Sequence, residues 1–172
     1  MKKIIIGSDH AGFEMKEALK PFLEELGYEV HDCGPKKLDP SDDYPDYITP
    51  VAHEISKHAG MEKGIVIGAS GQGEAMVANK FPHVRAAVYY GFGLEQDGQN
   101  KNTAKKAEME AITAMRIIEL SRQHNDANVL SLGAKFLDEN EAKAAVKLWL
   151  ETPFSGEERH KRRIEEIEEI KP

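Results

Sequence analysis

Cysteine is nearly missing from this chain: Cys33 is the only one in 172 residues. An intrachain disulfide and a cysteine metal cage are thereby excluded, and a lone cysteine reads as a small buried hydrophobe. Positive charge is also short. Lys and Arg number 23 against 30 Asp and Glu, a formal charge of −7. Counterion-release binding to nucleic acid needs a concentrated basic surface, and the one dense basic run is His160-Lys161-Arg162-Arg163. Long apolar runs are missing too. Ile4-Ile5-Ile6 is too short for a signal-peptide core or a membrane span, and Asp9 soon follows it. The expectation is a cytoplasmic protein without nucleic-acid or membrane partners.

What is present is alternation. Ile4 to Ile6 before Gly7 is a β-branched run suited to a doubly buried strand. Helical spacing follows in Phe13, Ala18, Leu19, Phe22, Leu23 and Leu26, with Gly27 as the stop. Tyr28 to His31 is a second strand, and the Pro, Asp and Lys between Gly34 and Asp43 mark a loop. Helix returns with Ile48, Val51, Ala52 and Ile55, then a third strand over Gly64 to Gly68, a helix from about Gly73 to Lys80, and a strand around Arg85 to Tyr89. A loose stretch runs through Gly91, Gly93 and Gly98. Asn102 or Thr103 is positioned to cap a long helix whose stripe is Ala107, Ala111, Met115 and Ile118. Val129 to Leu132 is a last strand, followed by a helix around Ala142, Val146, Trp149 and Leu150 and a charged helical tail. About five strand–helix alternations predict an α/β fold: one doubly wound, Rossmann-like domain over residues 1–172 with a five-stranded, mainly parallel sheet.

In such sheets ligands sit outside the carboxyl ends of the strands, and the unusual residues fall there. Ala69-Ser70-Gly71-Gln72-Gly73-Glu74 joins the third strand to a helix. Its glycines allow close backbone approach, and N–H groups at a helix start suit an anion or oxyanion; a ligand-free tight turn is the plainer reading. Glu74 either complements the helix dipole or acts as a general base. Asp9 and His10 after the first strand are either a helix cap and an ordinary surface histidine or a proton-transfer pair. Asp32, about twenty residues past Gly12, weakly echoes a dinucleotide site, but the first turn lacks the three-glycine spacing. His31, His53, His58 and His83 show no metal-ligand spacing. Arg159 and Arg163 share one helix face, as a phosphate fork or as a solvated basic face among Glu157, Glu158 and Glu165.

Taken together, Gly7-Ser8-Asp9-His10-Ala11-Gly12, Asp43-Tyr44-Pro45, Gly68 to Glu74 with Ala78-Asn79-Lys80, Arg122 to Asn128, and Arg159-His160 with Arg163 resemble the ribose-5-phosphate isomerase B and galactose-6-phosphate isomerase family. The resemblance implies aldose–ketose isomerisation of a sugar phosphate through an enediolate, with neither metal nor cofactor. One branch of that family uses a cysteine base at the position of Gly68; the branch matched here carries a glutamate at the position of Glu74. By resemblance Glu74 is the base, and Ser70 and the loop N–H groups stabilise the enediolate. His124 opens the furanose ring with Asp9, and His10, Tyr44, Ala69, Gly71, Gln72, Gly73 and Asn125 contact substrate. Arg159 and Arg163 clamp the phosphate in the partner subunit's site of a homodimer, or of a dimer of dimers, toward which the C-terminal helix is exchanged.

Two departures stand out. Lys135 replaces an arginine that would grip phosphate. The segment from Arg85 to His124 exceeds the family pattern by about two dozen residues, well beyond ordinary loops, giving an inserted loop and extended helix at about 90–120. Ribose 5-phosphate is the expected substrate. The alternatives are a six-carbon sugar phosphate (allose 6-phosphate or galactose 6-phosphate) and a non-catalytic nucleotide-binding α/β domain.

Overall fold

The core strands lie side by side because their residues are apolar on both faces. In the computed structural model, which describes residues 2–58, 61–91 and 101–170, β1 (Lys3–Ser8), β3 (Lys63–Gly68) and β5 (Val129–Gly133) form the centre of the sheet and are buried almost throughout. β2 (Glu29–Asp32) and β4 (Ala86–Tyr89) are the edges, in the order β2-β1-β3-β5-β4, and all pairs are parallel.

Helices close both faces: α1 (Phe13–Glu25), α2 (Tyr44–Lys57), α3 (Gln72–Ala78), α4 (Lys101–Asn125), α5 (Glu139–Glu151) and α6 (Glu158–Glu168). Strand alternation sorts the core in two. Ile4, Ile6, Ile65, Ile67 and Leu132 pack with Leu19, Leu23, Ile118 and Trp149, while Ile5, Val66 and Val129 pack with Ile48, Val51 and Ile55. α5 starts with a capping box between Asp138 and Glu141. α4 is described from Lys101, and Asn102 and Thr103 lie within the helix rather than capping it. The stretch through Gly93 and Gly98 lies outside the described residues.

Asp32 at the end of β2 is spoken for. Lys16 Nζ, fully buried, donates to it at 2.9 Å, Lys20 Nζ at 3.0 Å and the Gly34 N–H at 2.8 Å. Burial alone would raise its pKa, but these partners hold the carboxylate far below its usual range. The residue that echoed a ribose-binding acid is an internal ion-pair partner.

The chain winds one way from β1 to β2 and the other way to β3. The switch point is therefore the crevice between the carboxyl ends of β1 and β3. Asp9 leaves one strand there and the Ala69-Ser70-Gly71 turn leaves the other.

Candidate active site

The turn after β3 is held by its own carbonyls. Gly68 C=O accepts from the Ala134 N–H at 2.8 Å and Ala69 C=O from the Lys135 N–H at 3.1 Å. The buried Ser131 hydroxyl donates to Gly71 C=O at 2.6 Å. Gly71 has φ +75°, a conformation that a side chain would strain, and it directs the chain into α3. Ser70 Oγ accepts the Gln72 N–H at 3.3 Å. Among the described residues neither the Gly71 N–H nor the Gly73 N–H has a hydrogen-bond acceptor, so both amides are available to a developing oxyanion.

Glu74 follows in the first turn of α3 and is only 4% exposed. Its carboxylate folds back over Gly68, where a side chain on that residue would otherwise stand. Burial pushes its pKa up; a hydrogen bond from its own backbone N–H opposes the shift, and the charge on Asp9 adds to it. A carboxylate with a raised pKa, withdrawn from water beside free amides, is poised to take a proton from carbon.

Asp9 is buried and accepts the Gly12 N–H at 3.1 Å, so it does cap the short 3-10 turn His10–Gly12. Beside it, His10 Nδ1 lies 2.7 Å from Asp42 Oδ1, and the His10 N–H donates to the same oxygen at 3.1 Å. That bond to Asp42 raises the pKa of His10; burial opposes it, Asp9 adds to the rise and Lys135 counters it. Asp42 was not among the residues singled out above, because it sat in a loop already explained by turn-forming composition. Its Oδ2 is buried without a hydrogen-bond partner among the described residues. Tyr44 opens α2 and lays its ring on Gly73, where a Cβ would come within 2.9 Å of the ring's Cζ.

The expected site residues fall at two places in the chain. Asp9, His10, Tyr44, Ala69, Ser70, Gly71, Gln72, Gly73, Glu74 and Lys135 belong to elements that meet at the carboxyl edge of the sheet, but His124 and Asn125 do not join them within one chain. They end α4, which returns to the amino end of β5 at Val129. The length of β5, roughly 13 Å at strand rise, separates them from the turn at Ser70. The parallel topology causes this, since every helix carries the chain back to the opposite edge. Arg159 and Arg163 are exposed on α6 and lie with His124: His160 between them stacks on the His124 ring.

This second cluster is built as firmly as the first. Arg122, 6% exposed, donates from Nη1 to Ala127 C=O at 2.6 Å and Asp126 Oδ1 at 2.8 Å, and from Nε to Thr152 C=O at 3.2 Å. Arg85 ties the end of α4 to α6 by donating to Asn125 C=O at 3.0 Å and Glu168 Oε1 at 3.1 Å. At the carboxyl edge of the sheet, a cavity of about 570 Å³ opens beside Ser70 and Gln72, walled by Tyr90, Ala114, Ile117 and Phe136. Nothing in the sequence pattern marked it, because its walls come from three separate elements. Among the described residues no group of three or more His, Cys, Asp or Glu is placed to hold a metal ion.

The chain matches the family model described as Ribose/Galactose Isomerase in two stretches, residues 4–109 and 99–167. It is 32% identical over 167 residues to ribose-5-phosphate isomerase B of Mycobacterium tuberculosis, covering 97% of this chain and 88% of that protein. Among solved structures, ribose-5-phosphate isomerase B from Mycoplasma genitalium with bound ribulose-5-phosphate superimposes with TM-score 0.80 at 32% identity, covering 96% of this chain and 93% of that one. The Thermotoga maritima ribose 5-phosphate isomerase does so with TM-score 0.79 at 34% identity over 98% and 99%.

Proposed function

This chain belongs to the ribose/galactose isomerase family, and from that premise we propose that it interconverts ribose 5-phosphate and ribulose 5-phosphate with Glu74 as the base. The observation that carries the assignment of the base is the buried, pKa-raised carboxylate of Glu74 against the free amides of the Ser70 turn.

His124 donates a proton to the ring oxygen of the furanose while Asp9 accepts the proton of the C1 hydroxyl, and the open aldehyde forms. Glu74 removes the proton from C2. Negative charge moves onto O1, where Ser70 and the Gly71 and Gly73 amides stabilise the enediolate. Glu74 then returns its proton to C1 while the proton of the C2 hydroxyl passes to O1, which leaves the C2 carbonyl of the ketose and the C1 hydroxyl. His10, Tyr44, Ala69, Gln72 and Asn125 hold the sugar. Arg159 and Arg163, with Lys135, hold the phosphate, whose binding energy positions the reacting carbons.

The separation of His124 from Glu74 supports a homodimer. Two clusters at opposite edges of one sheet form complete sites when two copies pair by a two-fold axis, each lending α6 and the end of α4 to the other.

Replacing Glu74 by Gln tests the reading: turnover of ribose 5-phosphate should fall about a hundredfold or more while substrate still binds, the scale of a lost general base. Turnover like the parent's would remove Glu74 from the reaction.

A further inference from the structure

Helix α6 sends Arg159 and Arg163 outward and turns His160 inward. The His160 residue is 4% exposed and its ring lies flat against His124 of α4, the centroids 4.4 Å apart and the planes 12° from parallel. Its Nε2 is buried with no hydrogen-bond partner among the described residues. Leaving a buried polar atom unpaired is costly, so the position is not explained by a bond through that nitrogen. What the ring does supply is a face.

We propose that His160 is a positioning residue for His124, a flat platform that fixes the imidazole's plane and registers it with the helix that carries the phosphate clamp. This rests on the reading of His124 as the ring-opening acid.

Both partners are set on fixed backbone. The last turn of α4 is held where Gln123 C=O accepts the Ser155 N–H at 3.1 Å and Asn125 C=O accepts Arg85 Nε at 3.0 Å. α6 closes its own first turn with the His160 N–H on the C=O of its N-cap Glu157 at 2.8 Å. At the other end Glu168 takes Arg85 Nη1 at 3.1 Å and the His83 N–H at 3.0 Å. The stacked rings bridge these two rigid pieces, so the orientation of the acid and the reach of Arg159 and Arg163 are set together.

Charge divides the roles within the pair. Two imidazolium rings in face contact repel, so one ring must stay neutral for the other to carry a proton. Burial lowers the pKa of His160 first, and the positive fields of His124, Arg159 and Arg163 lower it further, with Glu157 alone opposing. The lowered pKa favours the neutral form of His160, the form whose face does not repel a charged neighbour.

The test compares His160→Ala, His160→Leu and His160→Phe with His124→Ala, measuring kcat and KM for ribose 5-phosphate and the ring ¹⁵N spectrum of His124. With the flat face removed, His160→Ala and His160→Leu should lose about tenfold to a hundredfold in kcat with KM changed less than about threefold, the cost of a misplaced reacting group. His160→Phe, which keeps the face and drops the nitrogens, should stay within about threefold of the parent. The His124 ¹⁵N signals should shift in the Leu variant and return toward the parent's in the Phe variant. Phe as impaired as Leu would overturn the proposal, because the nitrogen and not the face would then matter; so would a Leu variant with parental kcat. His160→Leu fills the volume, which keeps the comparison open if His160→Ala does not fold. Failure of the isomerase reading looks different, since the unaltered protein would then not turn over ribose 5-phosphate at all.

Discussion

Gly68 and Glu74 compete for one volume. A Cβ built on Gly68 at the end of β3 would run into the Glu74 carboxyl group and stand 2.7 Å from its farther oxygen, Oε2. A base delivered from the helix therefore requires no side chain on the strand. The division of the resembled family into a branch with cysteine at the position of Gly68 and a branch with glutamate at the position of Glu74 gains a steric meaning from this: the two bases would point into the same space and exclude one another. Gly68→Ala should displace the carboxylate and lower kcat by about a hundredfold, as misplacement of a reacting group does. In the double variant Gly68→Ala/Glu74→Ala the methyl should cost nothing beyond Glu74→Ala alone, because there is no longer a carboxylate to displace. Steady-state kinetics on the cycle decide it, and independent, multiplying losses would contradict a shared volume.

Asp42 should govern the charge of His10. The bond from His10 Nδ1 to Asp42 Oδ1 is the largest cause of the raised imidazole pKa. Asp42→Asn removes the charge and keeps the shape. The titration midpoint of His10, followed by NMR, should move downward toward its ordinary value of 6.5, and KM for the sugar phosphate should rise as the ring loses its fixed tautomer. An unmoved midpoint would mean that the contact does not persist in solution.

The fold could be read from the chain because β-branched runs ending in glycine alternate with helical stripes. Ile4 to Ile6, Ile65 to Ile67 and Val129 to Leu132 became the three central strands. The residues of the Ser70 turn were legible for the same reason: they follow a strand end directly, and parallel sheets put function there. Asp42 was hidden because a loop rich in Pro and Asp explains itself locally, whereas its role depends on meeting His10 thirty-two positions away. The separation of His124 from Glu74 follows from the same rule, because a residue just before a parallel strand lies at its amino edge, but a set of matching motifs read in chain order does not display it.

That separation makes the assembly testable by mixing. If each site takes Glu74 from one copy and His124 with Arg163 from the other, Glu74→Gln and Arg163→Ala proteins are each inactive alone. After subunit exchange at equal amounts, half of the dimers are mixed. Each mixed dimer then holds one intact site and one doubly altered site, so about a quarter of the parental activity should return. No recovery, with exchange verified by native mass spectrometry, would place both residues in the same copy's site and rule out the shared arrangement.

The raised pKa of Glu74 also has a thermodynamic sign. A folded-state pKa above the ordinary 4.5 means that the native chain binds this proton more tightly than the unfolded chain does. Below the unfolded value both states are protonated and Glu74 carries no penalty. As pH rises through the folded value, the native chain acquires a charge withdrawn from water while the unfolded chain ionises freely, so stability is lost. Gln stays uncharged at every pH. Glu74→Gln should therefore resist urea better than the parent at pH 7, with the advantage fading toward pH 4, while the acid limb of the parent's kcat lies above pH 4.5 because the base must be ionised to work. Urea melts at the two pH values and one pH–rate profile check both halves. A parent more stable than Glu74→Gln at pH 7 would mean that the carboxylate has a favourable partner in the native state, and that it is not the destabilised group from which a carbon base draws its reactivity.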